Sequence, residues 1–249
     1  MDKHYIDMEE GEREEFNRYL LTMRKFGVRE IFVSDEKLGL KRDKKEEKCV
    51  EDDTTGLNTT SGLEDRKYEQ LDKLKSEVEN CRMCELGSKR KNAVFGESSY
   101  DAKLLFVGEA PGADEDAQGR PFVGRAGKLL DRLFNVLNID RKSVFITNLL
   151  KCRPPGNRDP QEDEIKTCTP YLIRQIELID PVVIIALGAY PARFFTGSKE
   201  GITKLRGKEY RWRNWIVIPT YHPAACLRNP NLKKPLWEDV KSALELVKR

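Results

Sequence analysis

The sequence lacks the features that mark several large classes of protein. No apolar run approaches the about 20 residues that span a membrane, and no apolar stretch near Met1 resembles a signal peptide. It also contains no glycine fingerprint for a dinucleotide, no phosphate-binding loop followed by lysine, and no internal repeat. We therefore expect an intracellular protein that makes no membrane contact and is not a member of the common nucleotide-binding families.

Histidine is also scarce, since the chain has 2, His4 and His222. We assign no function to His4, which lies near the terminus. A lone histidine is often a packed core residue, but His222 follows an apolar run and precedes Pro223, which restricts its backbone. This position predicts an imidazole that points into a crevice, where a proton donor could stabilise a leaving anion.

Charge is abundant and unevenly distributed along the chain. Residues 1–80 hold 16 of the 45 Lys and Arg and 22 of the 42 Asp and Glu, which makes residues 81–249 net basic by 9 charges. A basic domain attracts polyanions, of which nucleic acid is the commonest. A solvated basic face without a partner would have the same composition, and charge alone favours that interpretation.

The pattern along the chain predicts three parts. Residues 1–34 form a partly helical N-terminal extension, with helical spacing over 8–26 and a strand over 28–33, and residues 35–65 form a flexible charged linker. Residues 66–249 alternate strand and helix, which is typical of an α/β fold, here a three-layer αβα sandwich with a central, mainly parallel four-stranded sheet. The predicted strands are 104–107, 143–147, 181–187 and 215–218, the last pairing with 210–213, and the predicted helices are 67–80, 126–137, 160–179, 189–195 and 235–247.

The chain has 6 cysteines, and four of them form two pairs. Cys81 and Cys84 enclose two residues, whereas fifteen residues separate Cys152 from Cys168. Disulfides are rare inside cells, so this pattern predicts metal or redox chemistry, and a thioredoxin-type site is disfavoured because no strand precedes the first pair. Four thiolates can close a zinc site or hold a four-iron cluster; the wide second spacing favours the cluster.

Three polar side chains, Glu109, Asn148 and His222, come just after three of the predicted strands. Because residues past the carboxyl ends of parallel strands converge on one crevice, we expect these side chains to surround one small ligand. Glu109 lies in an acidic, glycine-bounded loop that suits a base or a water better than a phosphate. The Asn148 carboxamide carries both a donor and an acceptor, so it can read a planar polar edge.

Two loops add further candidates to this crevice. Phe122 lies between glycines in the run 119–124, which favours stacking on a planar ligand, although it could equally anchor the loop. The run 152–158 contributes Arg153 and other cationic side chains, as contacts to phosphate require.

Together, several ordered motifs resemble one family, the family 4 uracil-DNA glycosylases, which are iron–sulfur enzymes of bacteria and archaea. The resemblance covers residues 78–249 and includes the cysteine spacing. The motifs that carry it are Gly108–Asp116 (GEAPGADED), Gly119–Gly124 (GRPFVG), Thr147–Pro155 (TNLLKCRPP), Leu187–Gly188, and His222–Pro230 (HPAACLRNP).

The resemblance implies a DNA glycosylase that flips uracil out of DNA and hydrolyses its N-glycosidic bond, leaving an abasic site for base excision repair. Phe122 would stack on the flipped base, the backbone at Ala110 would contact it, and Asn148 would read its polar edge. His222 would hydrogen-bond the leaving uracil anion, and Glu109 would position or activate water.

The resemblance implies further roles at the edge of the site. It suggests Glu115 as a gate at the C5 side of the base, and Leu227 and Arg228 as a wedge that fills the vacated stack, with Arg153 on the DNA backbone. The only two histidines leave none for a covalent trap of uracil, which favours an enzyme that turns over.

The resemblance also implies a structural [4Fe–4S] cluster held by Cys81, Cys84, Cys152 and Cys168. The expected partner is uracil-containing DNA, single- or double-stranded, and the extension could bind a repair or replication protein. We expect a cytoplasmic monomer, associated with the nucleoid through DNA. Two alternatives remain: a DNA-binding accessory protein that has kept fold and cluster but lost activity, and a zinc-dependent hydrolase.

Overall fold

A computed structural model describes residues 61–248. The predicted helix at 8–26, the predicted strand at 28–33, and His4 and Cys49 lie outside the described residues. Residues 58–249 form one compact unit. None of the helices between 61 and 248 is long and apolar enough to cross a membrane.

Strands and helices alternate along the described region. The strands are β1 (Glu97–Ser98), β2 (Leu104–Gly108), β3 (Phe145–Asn148), β4 (Val183–Leu187), β5 (Tyr210–Trp212) and β6 (Trp215–Thr220). The helices are α1 (Ser61–Asn80), α2 (Glu85–Lys89), α3 (Ala113–Gln118), α4 (Arg125–Val136), α5 (Glu162–Ile179), α6 (Ala189–Thr196), α7 (Ile202–Leu205), α8 (Pro223–Arg228) and α9 (Lys233–Val247).

The strands form one sheet in the order β1-β3-β2-β4-β6-β5. The four central strands are parallel, which confirms the predicted parallel core, but the sheet has six strands instead of the predicted four because β1 and β5 pair antiparallel at its two edges. The chain passes from β2 to β3 on one side and then to β4 on the other side of β2. This reversal of strand order opens the crevice in which ligands of such sheets bind.

Alternate residues of β2 face the two helical layers, as the two-residue period of a strand requires. Leu104 and Phe106 belong to the core that contains residues of α4 and α9, whereas Leu105 and Val107 belong to the core that contains residues of α1, α5 and α6. Because helices pack on both faces of the sheet, the central strands are unbroken apolar runs in the sequence. The predicted three-layer sandwich is therefore confirmed.

The acidic start of α5 is fixed by one carboxylate. Glu164 accepts a hydrogen bond from the backbone N–H of Gln161 (2.9 Å) and pairs with the Arg158 guanidinium (2.5 Å). The negative charge satisfies a free N–H at the positive end of the helix, so α5 begins where the sequence pattern placed it, within two residues. The ion pair also anchors the loop that connects β3 to α5, because Arg158 lies in that loop.

The differences from the predicted elements lie at their ends. α1 begins at Ser61, inside the segment predicted as linker, and β2 and β3 each extend one residue further than predicted, to the motif residues Gly108 and Asn148. The predicted pairing of 210–213 with 215–218 is confirmed by β5 and β6. β1 was not predicted, because two residues carry no alternating pattern.

Candidate active site

Residues from all four parallel strand ends surround the crevice. Gly108 at the end of β2 is in register with Asn148 at the end of β3, and Leu187 at the end of β4 is in register with Thr220 at the end of β6. Glu109 and His222 lie one and two residues beyond these ends. The topology therefore brings the motif loops to one edge of the sheet, as predicted.

The side chains of Asn148 and Phe122 meet over Gly108. A Cβ atom at Gly108 would overlap the Asn148 Oδ1 and would lie 2.7 Å from the Phe122 ring. Asn148 is 2% exposed. The first residue of the GEAPG run is therefore glycine because it leaves room for the carboxamide and the aromatic ring.

The loop that carries Phe122 is held by the Glu115 carboxylate. Glu115 Oε1 accepts from the backbone N–H groups of Val123 and Gly124 (both 2.9 Å), and Oε2 accepts from Gly112 (3.1 Å). These bonds link the two glycine-rich runs to each other. Glu115 thus orders the loop, and its predicted role as a gate at C5 stays a prediction.

Phe122 itself is buried, at 5% exposed, and adopts a left-handed backbone with φ 51°. Its ring centroid lies 5.6 Å from that of His222, and the two planes are tilted by 33°. A non-glycine residue pays a conformational cost in this region, and such strain persists only where the surroundings fix it. The ring is therefore a fixed wall of the crevice beside the imidazole.

The tautomer of His222 follows from its hydrogen bond at the start of α8. Nδ1 accepts from the backbone N–H of Ala224 (3.1 Å), and burial, aided by the nearby Arg228, lowers the pKa of His222 to about 4. The ring packs on Gly188, where a Cβ would lie 3.1 Å from the His222 Cβ. At neutral pH the imidazole is uncharged and carries its proton on Nε2, so it can donate a hydrogen bond.

Glu109 is a half-buried carboxyl with an unusual proton affinity. Burial, together with the negative charge of Asp159, raises its pKa to about 7. Its backbone carbonyl accepts from Leu150 N–H (3.0 Å), which fixes the loop against the segment after β3. Glu109 therefore changes its charge within the physiological range, as a group that activates water needs to do.

Two residues near Glu109 were missed in the sequence. Asp159 follows the cationic loop after β3, and Tyr190 lies in the first turn of α6, after β4. They hydrogen-bond each other, which together with burial raises the pKa of Tyr190. The run Leu187–Gly188 was the only signal for the end of β4, and it named no polar side chain.

The predicted DNA-contacting residues lie on the segments that follow β3 and β6. Arg153 Nε donates to Asn157 Oδ1 (2.7 Å) in the loop after β3. Leu227 and Arg228 lie in the last turn of α8; Leu227 is half-buried against the core and Arg228 is exposed. Ala110 is half-buried beside Leu150 and the cysteine-bearing segments.

The four predicted cysteine ligands line a single cavity, together with Arg90 and Lys151 among others. Within residues 61–248, however, no three His, Cys, Asp or Glu side chains are arranged to hold a metal ion. Two donors face the sulfurs: Arg90 donates to Cys152 Sγ (2.9 Å), and the backbone N–H of Lys151 donates to Cys168 Sγ (3.2 Å). The fifth described cysteine, Cys226, is fully buried in α8 among apolar residues.

Comparison with known proteins identifies the family to which this fold belongs. A family model described as the uracil DNA glycosylase superfamily matches residues 95–241. The match begins just before β1 and ends inside α9. It therefore includes all six strands of the described region and the loops that follow the four parallel strands. The chain belongs to the uracil-DNA glycosylase superfamily.

Curated relatives define the branch of that superfamily. The type-4 uracil-DNA glycosylase of Sulfurisphaera tokodaii is 53% identical over 72% of this chain and 85% of its own length. The type-4 enzymes of Saccharolobus solfataricus (51% identical, 71% of this chain, 86% of theirs) and Archaeoglobus fulgidus (44%, 72% and 94%) align similarly. The chain is therefore a member of the type-4 family, as the sequence motifs predicted.

Proposed function

We propose that this chain excises uracil from DNA by hydrolysing the N-glycosidic bond, leaving an abasic site for base excision repair. The observation that carries the proposal is the meeting of Asn148, Phe122 and His222 at the edge of the sheet, with Glu109 on the adjacent strand end. An amide, an aromatic wall, a neutral imidazole and a titratable carboxyl suit a planar base that leaves as an anion.

Recognition of the base depends on Asn148 and Phe122. The carboxamide of Asn148 donates to O4 and accepts from N3–H of uracil, whereas cytosine presents the opposite donor and acceptor at these atoms. The ring of Phe122 stacks on the flipped base, and the backbone at Ala110 contacts its edge. The burial of Asn148 supports this role, because a buried amide left without its partner is costly.

Departure of the base depends on His222. As the glycosidic bond lengthens, negative charge develops on the uracil oxygens, and the Nε2–H of the neutral imidazole donates a hydrogen bond to it. The bond from Ala224 to Nδ1 holds the ring in the required tautomer. No proton needs to be transferred in this step.

Attack of water on the sugar depends on Glu109. The carboxylate form orients a water molecule and stabilises the positive charge that develops on the sugar ring. Its raised pKa makes the carboxylate an effective acceptor for the proton that the water loses. The negative charge of Asp159 adds to the effect of burial and strengthens that affinity.

DNA is held by the rim of the crevice. Extrusion of a nucleotide costs a few kcal/mol of unstacking, which is offset when an inserted side chain fills the gap. We assign that wedge to Leu227 and Arg228, in the last turn of α8, and the contact with the phosphate backbone to Arg153. The net basic charge of residues 81–249 supports attraction of single- or double-stranded DNA.

The cysteine cavity suits a structural [4Fe–4S] cluster held by Cys81, Cys84, Cys152 and Cys168. The four sulfurs border one cavity, and four cysteine thiolates are the usual ligand set of a [4Fe–4S] cluster. Hydrogen bonds from Arg90 and from the Lys151 backbone would offset the negative charge of bound thiolates. When bound, the cluster crosslinks the start of α2, the loop after β3 and α5, and it supplies no step of the hydrolysis.

The test is a cleavage assay on oligonucleotides with one uracil, in U·A and U·G pairs and in a single strand, against a T·G control. We expect alkali-labile sites in the uracil substrates alone, and a loss of roughly a hundredfold or more in rate for His222→Ala and for Asn148→Ala. Wild-type rates in both variants would refute the assigned roles.

Tight binding of uracil-DNA without product would instead indicate an accessory protein. Stoichiometric iron with absorbance near 400 nm distinguishes the cluster from zinc.

A further inference from the structure

Lys151 is a fully buried lysine that the proposed reaction does not use. Its side chain is 1% exposed, and it is among the largest completely buried side chains of the described region. It lies in the loop that joins Asn148 at the end of β3 to Cys152. Lysine is almost never buried without partners, so its surroundings require an explanation.

Three oxygens surround its amine. Nζ donates to Thr147 Oγ1 (2.6 Å), to the backbone carbonyl of Asn148 (2.8 Å) and to Gln175 Oε1 (2.6 Å). An ammonium group has three donors and no acceptor, and here each donor has one acceptor. The lysine thus joins the last two residues of β3 to α5.

The partners of Lys151 are held in turn by one carbonyl. Thr147 Oγ1 and Gln175 Nε2 each donate to the backbone carbonyl of Phe95 (2.8 Å in both cases). The hydroxyl proton and one amide proton are therefore used elsewhere, which leaves oxygen lone pairs of Thr147 and Gln175 free to accept from the lysine. No buried side-chain nitrogen or oxygen of this network lacks a hydrogen-bond partner.

The backbone of Lys151 is fixed as well. Its N–H donates to Cys168 Sγ (3.2 Å), and its carbonyl accepts from Val94 N–H (2.8 Å). The residue therefore spans the distance from the cysteine cavity to the Asn148 carbonyl. A shift of that carbonyl would rotate the peptide that carries the Asn148 side chain.

We propose that Lys151 is a positioning residue that fixes the Asn148 carboxamide for reading the base, by gripping the Asn148 carbonyl through the network with Thr147 and Gln175. This inference rests on the proposed role of Asn148. A buried charge contributes little net stability compared with a well-packed apolar side chain, whereas a satisfied polar network fixes geometry. Because the amine lies at the carbonyl of Asn148, the geometry that the network fixes is that of the residue that reads the base.

The test is a double-mutant cycle with Lys151→Met and Asn148→Ala in the full-length, iron-loaded protein. The measurement is the single-turnover rate of uracil release from a U·G duplex at saturating enzyme. We expect Lys151→Met to lower the rate by roughly tenfold to a hundredfold in the wild-type background, as loss of a charged hydrogen bond does. In the Asn148→Ala background the same change should alter the rate by less than about twofold, because the carboxamide that it positions is gone.

Controls separate positioning from damage to the fold or to the cysteine cavity. Lys142→Met makes the same chemical change on an exposed residue and should leave the rate unaltered. If Lys151→Met loses iron or does not fold, Thr147→Val removes one acceptor at a residue that contacts no cysteine, and it should show the same dependence on Asn148. Thr147→Ser keeps the hydroxyl and should restore the wild-type rate.

The outcomes are distinct. A wild-type rate for Lys151→Met, or the same loss in both backgrounds, overturns the inference while the role of Asn148 stands. A wild-type rate for Asn148→Ala overturns the proposed role of Asn148 and the inference with it. Loss in the wild-type background alone supports both.

Discussion

At the scale of single residues, proton affinities decide which chemistry the crevice can perform. His222 and Glu109 have ordinary reference pKa values near 6.5 and 4.5, and burial moves them in opposite directions, to about 4 and about 7. Burial disfavours the charged form of each group. His222 is therefore a neutral hydrogen-bond donor, and Glu109 keeps its proton up to a higher pH. The two groups therefore differ in charge and role because burial acts on a base in one case and on an acid in the other.

The raised pKa of Glu109 predicts a pH dependence. The carboxylate is the active form, so the single-turnover rate should rise with pH between about 6 and 8 and level off above the pKa of about 7. His222 and Tyr190 do not titrate in this window, because burial lowers the pKa of His222 to about 4 and raises that of Tyr190. Burial also lowers the pKa of Lys151 to about 7, but loss of the Lys151 proton would lower the rate as pH rises, which is opposite to the rise assigned to Glu109.

Two variants check this assignment. Glu109→Gln should remove the rise and lower the plateau roughly a hundredfold, because water loses its acceptor. Asp159→Asn removes a negative charge that favours the protonated form, so the rise should move to lower pH while burial keeps it above the usual range. A profile of Asp159→Asn identical to wild type would show that Asp159 does not act on Glu109.

The sequence was informative about which residues meet, and uninformative about their state. Glu109, Asn148 and His222 could be brought together from strand ends alone, because the edge of a parallel sheet is common to all its strands. The Glu109–Asp159 proximity joins residues 50 positions apart through a loop whose path no local pattern specifies. The amine of Lys151 likewise finds Gln175 only after α5 has packed on the sheet.

At the scale of elements, the end of β6 is fixed by a buried ion pair with α9. Asp239, 3% exposed, accepts from Thr220 Oγ1 (2.6 Å) and Arg206 Nε (2.9 Å), and Arg206 also donates to the carbonyl of Pro235 (3.0 Å). Thr220 lies two residues before His222. The closing helix therefore holds the strand end from which the imidazole projects.

This arrangement predicts a large cost for Asp239→Ala. The substitution removes the buried carboxylate that accepts from Thr220 and from the partly buried Arg206 guanidinium, so we expect the free energy of unfolding to fall by about 2–3 kcal/mol. Urea unfolding at neutral pH measures it. Glu238→Ala, one residue earlier in α9, removes a partly exposed pair with Lys234 (3.7 Å) and should cost less than about 1 kcal/mol. Equal losses in the two variants would contradict the buried pair.

The elements themselves were predictable in proportion to their burial. β4 is covered on both faces, so Val183–Leu187 is an unbroken apolar run that reads as a strand without structural help. β1 carries only Glu97 and Ser98, and its place at the edge depends on pairing with β3 and on ion pairs from Glu97 to Arg120 and Arg141. Such contacts form across the sheet and leave no periodic signal.

At the scale of the whole molecule, every residue assigned to the chemistry lies between 81 and 228. The core clusters of the described region draw only on residues from 71 onwards. Uracil excision should therefore not require residues 1–57.

A truncation tests this independence. A chain of residues 58–249 should keep the wild-type single-turnover rate on a U·G duplex within about twofold, as expected when separated parts contribute independently. Residues 81–249 alone carry the net basic charge, so DNA affinity of the truncated chain should still fall steeply as salt rises from 50 to 200 mM, as counterion release requires (about tenfold or more). Thermal unfolding of both chains provides the control for folding. A stable truncated chain that has lost uracil release would show that the extension contributes to catalysis.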